Sequence, residues 1–456
     1  MIEKKNINKF YLLFLFSHVA VWTLIPSLTN LNLPLDTIEA LAWSSDLKWG
    51  YSKHPPFSAL AVEIFYQFFG RQDWAYYFLS QIFVVISFII IFKLADEFFN
   101  NKNLAFLSVL LLEGIYFYNF TSPEFNVNIS QLPFWSLSIY FAWRCIKNDK
   151  FFDYVILGIS ISLGILSKYL FLFLVLGIKF LFIYLIYKKK IKSLNFLITS
   201  FIVLVFVLPH LFWLVENEFA TLTYSFKRTG GIGNFSDHIV FPFLFLIKQI
   251  AILIPTFIMA IFLIKKLKFK KLVKNEKLVF LFFTCIIPLL GIFFTSLLFG
   301  IKIRTMWMTP FYLLTGIFLI EIFNKNLNLN NLKRFYATFF FFFILSPMGY
   351  LIISETNEFK RTDYPGKEIA RLVQNKWDDN FKNDIKLVVG DEWFAGNLSY
   401  HLPSRPIWTS ELKNKLKDLN DNDGIVYTGN PKVLKNICPG VYGTIKPVGY
   451  CMIGVR

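Results

Sequence analysis

The sequence predicts a polytopic α-helical membrane protein of about eleven spans, followed by a small α/β domain of roughly 100 residues outside the membrane. Three observations predict it. Of 456 residues, 55% are hydrophobic and only 17% charged, with a mean hydropathy of +0.51; soluble domains carry about 25% charged residues. The apolar residues come in long blocks rather than at a 3.6-residue period, and such blocks face lipid. After about residue 358 the character changes to short β-rich runs ending in turn residues.

The candidate spans lie near 10–28, 76–94, 104–120, 130–146, 153–167, 169–187, 194–214, 242–264, 278–298, 305–323 and 335–353. Only "SKY" separates the two runs of 153–187, so two spans or one broken helix fit there. The first run has a basic start but no small-residue cleavage site, and it reads as a retained helix. Lys and Arg set the orientation. "KKKIK" and "KKLKFKKLVKNEK" fall on one side, while the opposite side (29–75, 119–129, 215–241 and 299–304) is poor in them. The positive-inside rule then puts the N-terminus in the cytoplasm, and an odd number of spans puts the C-terminal tail outside. Only Lys179 and Lys248 fall inside spans, with no acid deep in the membrane, which speaks against a transporter or flippase. A net charge of +17 does not mark a nucleic-acid binder here, because the lysines sit in short inter-helix loops.

The division is therefore 1–355 for the membrane domain, with 29–75 as its first outer loop, and 358–456 for the tail domain. "IKLVVGDEW", "RPIWTS" and "DGIVYTG" read as strands; "GKEIARLVQNKW" and "PKVLKNI" read as helices. Cys438 and Cys451 can pair if the tail faces an oxidising compartment, whereas Cys145 and Cys285 read as packing residues. No CxxC or Cys/His cluster suggests a zinc site.

Chemistry-bearing residues concentrate on the outer side. In "PLDTIEALAWSSDLKWG", Asp36 and Glu39 share a helix face at i, i+3. Taken alone, Asp36 reads as an N-cap and Glu39 as a first-turn partner of the helix dipole. Trp43 and Trp49 suggest a helix lying in the membrane interface. "YSKHPPF" fixes Lys53 and His54 in a proline-closed turn, either a solvated turn or a pair of anion ligands. Glu124 stands alone in "NFTSPEFNVNIS". "GILSKYLF" supplies Lys168 and Tyr169, and "FGIKIRTMWMTPF" supplies Lys302, Arg304 and Trp307. "FKRTGGIGNFSDH" adds Lys227 and Arg228, but without a preceding strand it is no P-loop. Each signal is weak singly. A shared outer-face cavity uses all of them.

The order of these motifs, an acid in the first outer loop and then Trp-Gly-Tyr-x-Lys-His-Pro-Pro, resembles the GT-C glycosyltransferases. It is most similar to the dolichyl-phosphate-mannose mannosyltransferase and ArnT-like superfamily (glycosyltransferase families 39 and 83). "SPEFNVNISQLPFWSLSIYFAWR", "RTMWMTPFYLLTG", "YPGKEIARLV" and "VVGDEWFAGNLSYHLPSRPIW" look like a branch that adds hexosamine, galactosamine or glucosamine, to lipid A. The resemblance implies an undecaprenyl-phosphate-linked sugar donor and a lipid A or other glycolipid acceptor, met on the periplasmic face of a Gram-negative inner membrane. Asp36 then inherits the reaction centre, with Glu39 beside it. Lys53, His54, Lys168 and Arg304 become donor-phosphate ligands, and Glu124, Tyr169 and Trp307 bind sugar or acceptor. In the aminoarabinose transferases the turn reads Glu-Lys-Pro, and its Glu helps hold a metal. Here the aligned pair is Lys53-His54, so no metal or other cofactor is expected. Protein O-mannosyl transfer and polysaccharide assembly use the same architecture and are the alternative readings.

Overall fold

The computed structural model describes residues 4–189, 194–230, 234–266, 275–329, 332–357, 359–412 and 422–456. The parts of the basic clusters at 190–193 and 267–274, and the glycines of 231–233, lie outside the described residues. Among the described residues, seven helices are long and apolar enough to cross a membrane. A bent pair, Thr305–Tyr312 with Thr315–Asn326, makes an eighth. Three other expected spans are helical but shorter or broken. Phe151–Ser167 and Leu132–Asn148 are each 17 residues. The α-helix Lys102–Leu110 gives way to tight 3₁₀ turns over Leu111–Gly114 and Tyr116–Tyr118.

That break has a physical cause. Gly114 abuts the Thr256 backbone so closely that a Cβ would lie 2.6 Å from its nitrogen. Beside it, the Glu113 carboxylate meets His18 Nδ1 at 2.6 Å, and both side chains are fully buried. Asn119 Nδ2 donates to the Glu113 carbonyl at 2.8 Å. This corrects the expectation that no acid lies deep among the spans. Glu113 escaped notice because its partner His18 lies 95 residues away in the first helix.

The ambiguous 153–187 region is two helices. Phe151–Ser167 ends at Lys168, whose φ of −164° and ψ of 138° are extended, and a short turn leads into Leu172–Tyr187. The chain therefore presents Lys168 at a helix break rather than within a helix.

The first outer loop holds two helices. Leu35–Ser44 starts after Pro34, which is its N-cap, so Asp36 sits inside the first turn and is not the cap. Nor does this helix lie in the interface: Trp43 is 3% exposed while Trp49 is 54% exposed. The tail domain covers it. Gly396 of helix Phe394–His401 sits against Ile38 and Ala42, where a Cβ would be 3.1 Å from the Ala42 methyl. The second helix, Phe57–Phe69, takes the interfacial part instead. It exposes Leu60, Ile64 and Phe68 at i, i+4, i+8, a lipid-facing stripe, and buries Ala59, Ala61 and Val62.

The tail domain is a five-stranded sheet in the order β2-β1-β3-β5-β4, where β1 is Ile385–Val389, β2 Ile407–Thr409, β3 Gly424–Gly429, β4 Val441–Ile445 and β5 Val448–Ile453. The first three are parallel and the last two antiparallel. The expected strands and helices are present. The β4–β5 hairpin and helix Phe394–His401 are additions; Pro447 and the glycines of 440–449 mask the hairpin, because such residues usually end a strand. Trp377, Val388, Val426 and Met452 build its core. Cys438 and Cys451 form a disulfide, and Cys145 and Cys285 are buried free thiols.

This domain is welded to the first loop. Arg405 Nη2 donates to the Leu41 carbonyl at 2.7 Å and to Ser44 Oγ at 3.0 Å, with its guanidinium 4.3 Å from the Tyr66 ring centre. Asn32 Nδ2 donates to Asn397 Oδ1 at 2.7 Å, and the Trp408 backbone N–H donates to Ser45 Oγ at 2.8 Å. The tail and the first loop therefore lie on the same side.

Candidate active site

The helix Leu35–Ser44 aims Asp36 and Glu39 to one side, where three other segments converge. The Pro55-Pro56 pair holds the preceding turn so that Lys53 Nζ bridges two carboxylates, Glu39 Oε1 and Glu392 Oε1, the latter at 3.2 Å. Glu392 comes from the tail domain, in "VVGDEW". Segment 119–129 brings Glu124, whose Oε1 accepts the Asp36 backbone N–H at 3.1 Å. The helix break brings Lys168. Its Nζ donates to Asn128 Oδ1 at 2.5 Å and lies 5.1 Å from the Trp307 ring centre. Lys168 is 5% exposed. Among the described residues the Asp36 carboxylate has no hydrogen bond or ion pair, yet the charges of Lys168, Lys53, Arg228 and Arg361 all act on it.

The electrostatics sort these groups. Burial pushes the Asp36 carboxyl up, and Lys168 and Lys53 pull it back towards ionisation. Burial and the neighbouring Asp36 both push Glu124 up. Lys168, Lys53, Arg228 and Arg361 all favour the Asp36 anion, whereas Arg361 is the cation that favours that of Glu124. Burial pushes Glu39 up to about 7 against the pull of Lys53. Burial disfavours the Lys53 ammonium, but Glu39 and Glu392 outweigh it and raise its pKa. Burial pushes Lys168 down to about 7, with Asp36 opposing. His54 is pushed down to about 3 by burial and by the charges of Lys168 and Lys53. Its ring packs edge-on against Trp43 and Tyr224. At neutral pH it is an uncharged ring, so it offers hydrogen bonds rather than positive charge.

Asp36, Glu39, Lys53, His54, Glu124, Lys168 and Trp307 thus cluster. Two expected members adjoin the cluster along the chain but, among the described residues, make no side-chain bond to it. Arg304 is exposed, and none of the hydrogen bonds or ion pairs above reaches it. Tyr169 Oη meets His210 Nε2 at 2.6 Å, and His210 Nδ1 meets the Trp49 carbonyl at 2.5 Å. That chain of bonds ties the first loop to helix Leu194–Glu216. Sequence reasoning missed Glu392, Asn128 and Arg361 as members of the site. Glu392 lay in a quoted motif, but nothing local says that it reaches residue 53.

A divalent cation does not fit this donor set. The Lys53 ammonium already sits between Glu39 and Glu392, and among the described residues no three His, Cys, Asp or Glu side chains gather as metal ligands.

Comparison with known proteins places these features in a class. Residues 53–213 match the family described as dolichyl-phosphate-mannose-protein mannosyltransferase. The fold matches ArnT from Cupriavidus metallidurans, solved with undecaprenyl phosphate, with a TM-score of 0.65 at 12% identity over 97% of this chain and 98% of that one. The resemblance to the ArnT-like GT-C superfamily of membrane glycosyltransferases is borne out. Among individual proteins, the chain is similar to the lipopolysaccharide core galacturonosyltransferase RgtB of Rhizobium johnstonii, 26% identical over 86% of this chain and 81% of that one. A shorter stretch, 26% of this chain and 22% of the relative, is 31% identical to the undecaprenyl phosphate-alpha-4-amino-4-deoxy-L-arabinose arabinosyl transferase of Wigglesworthia glossinidia brevipalpis.

Proposed function

We propose that the protein transfers a sugar, a hexosamine or other amino sugar, from an undecaprenyl-phosphate donor to lipid A or a related glycolipid at the periplasmic face of the inner membrane. One observation carries the reading: among the described residues a half-buried carboxylate without a partner, Asp36, lies under the field of two ammonium groups, Lys168 and Lys53. The bond from the anomeric carbon to the donor phosphate oxygen breaks, and undecaprenyl phosphate leaves with the electron pair. The acceptor oxygen forms the new bond. Lys168 and Lys53 offset the charge that grows on the leaving phosphate, and in a dry site such charge pairing is worth far more than in water. If the acceptor is a hydroxyl, its proton passes to Asp36. If it is an ionised phosphate there is no proton to take, and Asp36 stabilises positive charge at the anomeric carbon. Glu39 and Glu124 flank the ring as acceptors for hydroxyl or ammonium hydrogens. The names of the relatives support a lipid-linked donor and a lipopolysaccharide-type acceptor.

Mass spectrometry of lipid A from cells with and without the gene tests this. A hexosamine or pentosamine mass increment that disappears with the gene, and also with Asp36→Asn at normal protein level, is the expected result. Lipid A unchanged by deletion refutes the acceptor; normal modification by Asp36→Asn removes Asp36 from the mechanism.

A further inference from the structure

A second cavity opens at the far end of the Asp36 helix, about 470 Å³ in volume. Trp43, Tyr51, Trp213 and Trp408 give it aromatic walls, and Asp46, Glu216 and Glu218 give it carboxylates. Among the described residues Lys48 is the one base lining it, and it already pairs with Asp46 at 3.0 Å. Trp43 and Tyr51 stack at 5.3 Å with their planes 14° apart. Trp213 reaches the cavity because residue 50 is glycine: a Cβ there would lie 2.3 Å from the indole. Trp43 is 3% exposed, and among the described residues its indole N–H has no acceptor.

We propose that this cavity is a saccharide subsite for the acceptor, taking a sugar ring that is neutral or carries an amino group and rejecting one that carries a carboxylate. The inference rests on the glycosyltransferase reading above and adds the acceptor's chemistry. Trp43 and Tyr51 are buried against each other, so the partly exposed Trp213 and Trp408 offer the aromatic surface on which the C–H face of a pyranose ring can rest. Carboxylates accept strong hydrogen bonds from hydroxyls and stronger ones from an ammonium. Among the described lining residues an anionic sugar would face three acids with one base, and such like-charge placement is how a site excludes a wrong ligand.

The position fits an acceptor rather than the donor sugar. Trp43 follows Asp36 by seven residues on one helix, about 10 Å along its axis at 1.5 Å per residue. The transferred sugar is bonded directly to the donor phosphate, so it stays beside Lys168 and Asp36, and the next ring away belongs to the acceptor. The two sites are contiguous: the His54 ring packs 6.0 Å from Trp43, and Tyr51 precedes Lys53 by two residues. The cavity's far wall is a turn in which Glu218 and Phe219 both take left-handed φ values, 51° and 54°. That conformation is unfavourable for a bulky residue and is found where a site over-determines the backbone.

Saturation-transfer NMR on the full-length protein in nanodiscs tests the subsite without any donor. The probes are methyl glucosaminide, methyl N-acetylglucosaminide and methyl galacturonide. The first two are expected to give saturable signals that Trp213→Leu abolishes, and the galacturonide none. Glu216→Gln with Glu218→Gln should weaken the glucosaminide about tenfold, the worth of a charged hydrogen bond, and the acetylated sugar far less. Saturable binding of the galacturonide as tight as the others overturns the charge selection, and no saturable signal from any probe overturns the subsite. Asp36→Asn should lose transfer but keep these signals. Binding in a protein that modifies no lipid would therefore sink the transfer reading alone, and transfer without binding would sink the subsite alone.

Discussion

Replacing Lys168 with methionine should cost activity while sparing the fold. The ammonium is 5% exposed, rests on Asn128 Oδ1 at 2.5 Å and faces Asp36. If it meets the leaving phosphate, its loss resembles removal of an oxyanion-hole donor, about 10²- to 10³-fold in kcat. Burial has lowered its pKa to about 7, so in the free enzyme half of the molecules carry the proton there. kcat/KM should therefore fall about tenfold per pH unit above that point. Stability should move the other way. Below pH 7 folded and unfolded chains both hold the proton, and the folded protein bears the full cost of burying the charge. Between about 7 and the ordinary lysine value the unfolded chain binds more protons, so folding stability rises by up to about 1.4 kcal/mol per pH unit. Lys168→Met removes that slope and should melt no lower than wild type at pH 6. Lys168→Arg, always charged, should flatten the alkaline limb. Transfer by purified protein to a lipid A acceptor, followed by mass spectrometry across pH 6–9, reads both arms. Undiminished transfer by Lys168→Met, or an alkaline limb that persists in Lys168→Arg, refutes the assignment.

Two further outcomes follow from the docked tail domain. Arg405→Ala removes the bonds to Leu41 and Ser44 and the stack on Tyr66, and should destabilise docking by about 3 kcal/mol; limited proteolysis should then release the domain, and wild-type resistance would refute the weld. Cys438→Ser with Cys451→Ser opens a link spanning 13 residues and should cost the tail domain about 3 kcal/mol, read as a lower denaturant midpoint for near-ultraviolet circular dichroism.

The membrane character, the helices and three of five strands were legible because period and composition are local properties. Asp36, Glu39 and Lys53 were legible because they crowd one short loop. What stayed hidden depends on distance along the chain. Glu392 looks like any loop acid until the sheet carries it to Lys53. Glu113 looks like a blemish in a span until His18 is found against it. His54 reads as an anion ligand by residue type; burial among Lys168 and Lys53 further disfavours its charged form. Trp43 reads as an interfacial anchor until Tyr51 and Trp408 pack against it.

The bond from Asn32 to Asn397 joins residues 365 positions apart, and the Lys53 bridge to Glu392 is of the same kind. A charged centre assembled from both ends of a chain is completed late in biosynthesis. The first loop emerges early with Lys53 holding one carboxylate, and the second arrives only after every span has been inserted and the tail has folded. A nascent or truncated protein therefore lacks the finished centre.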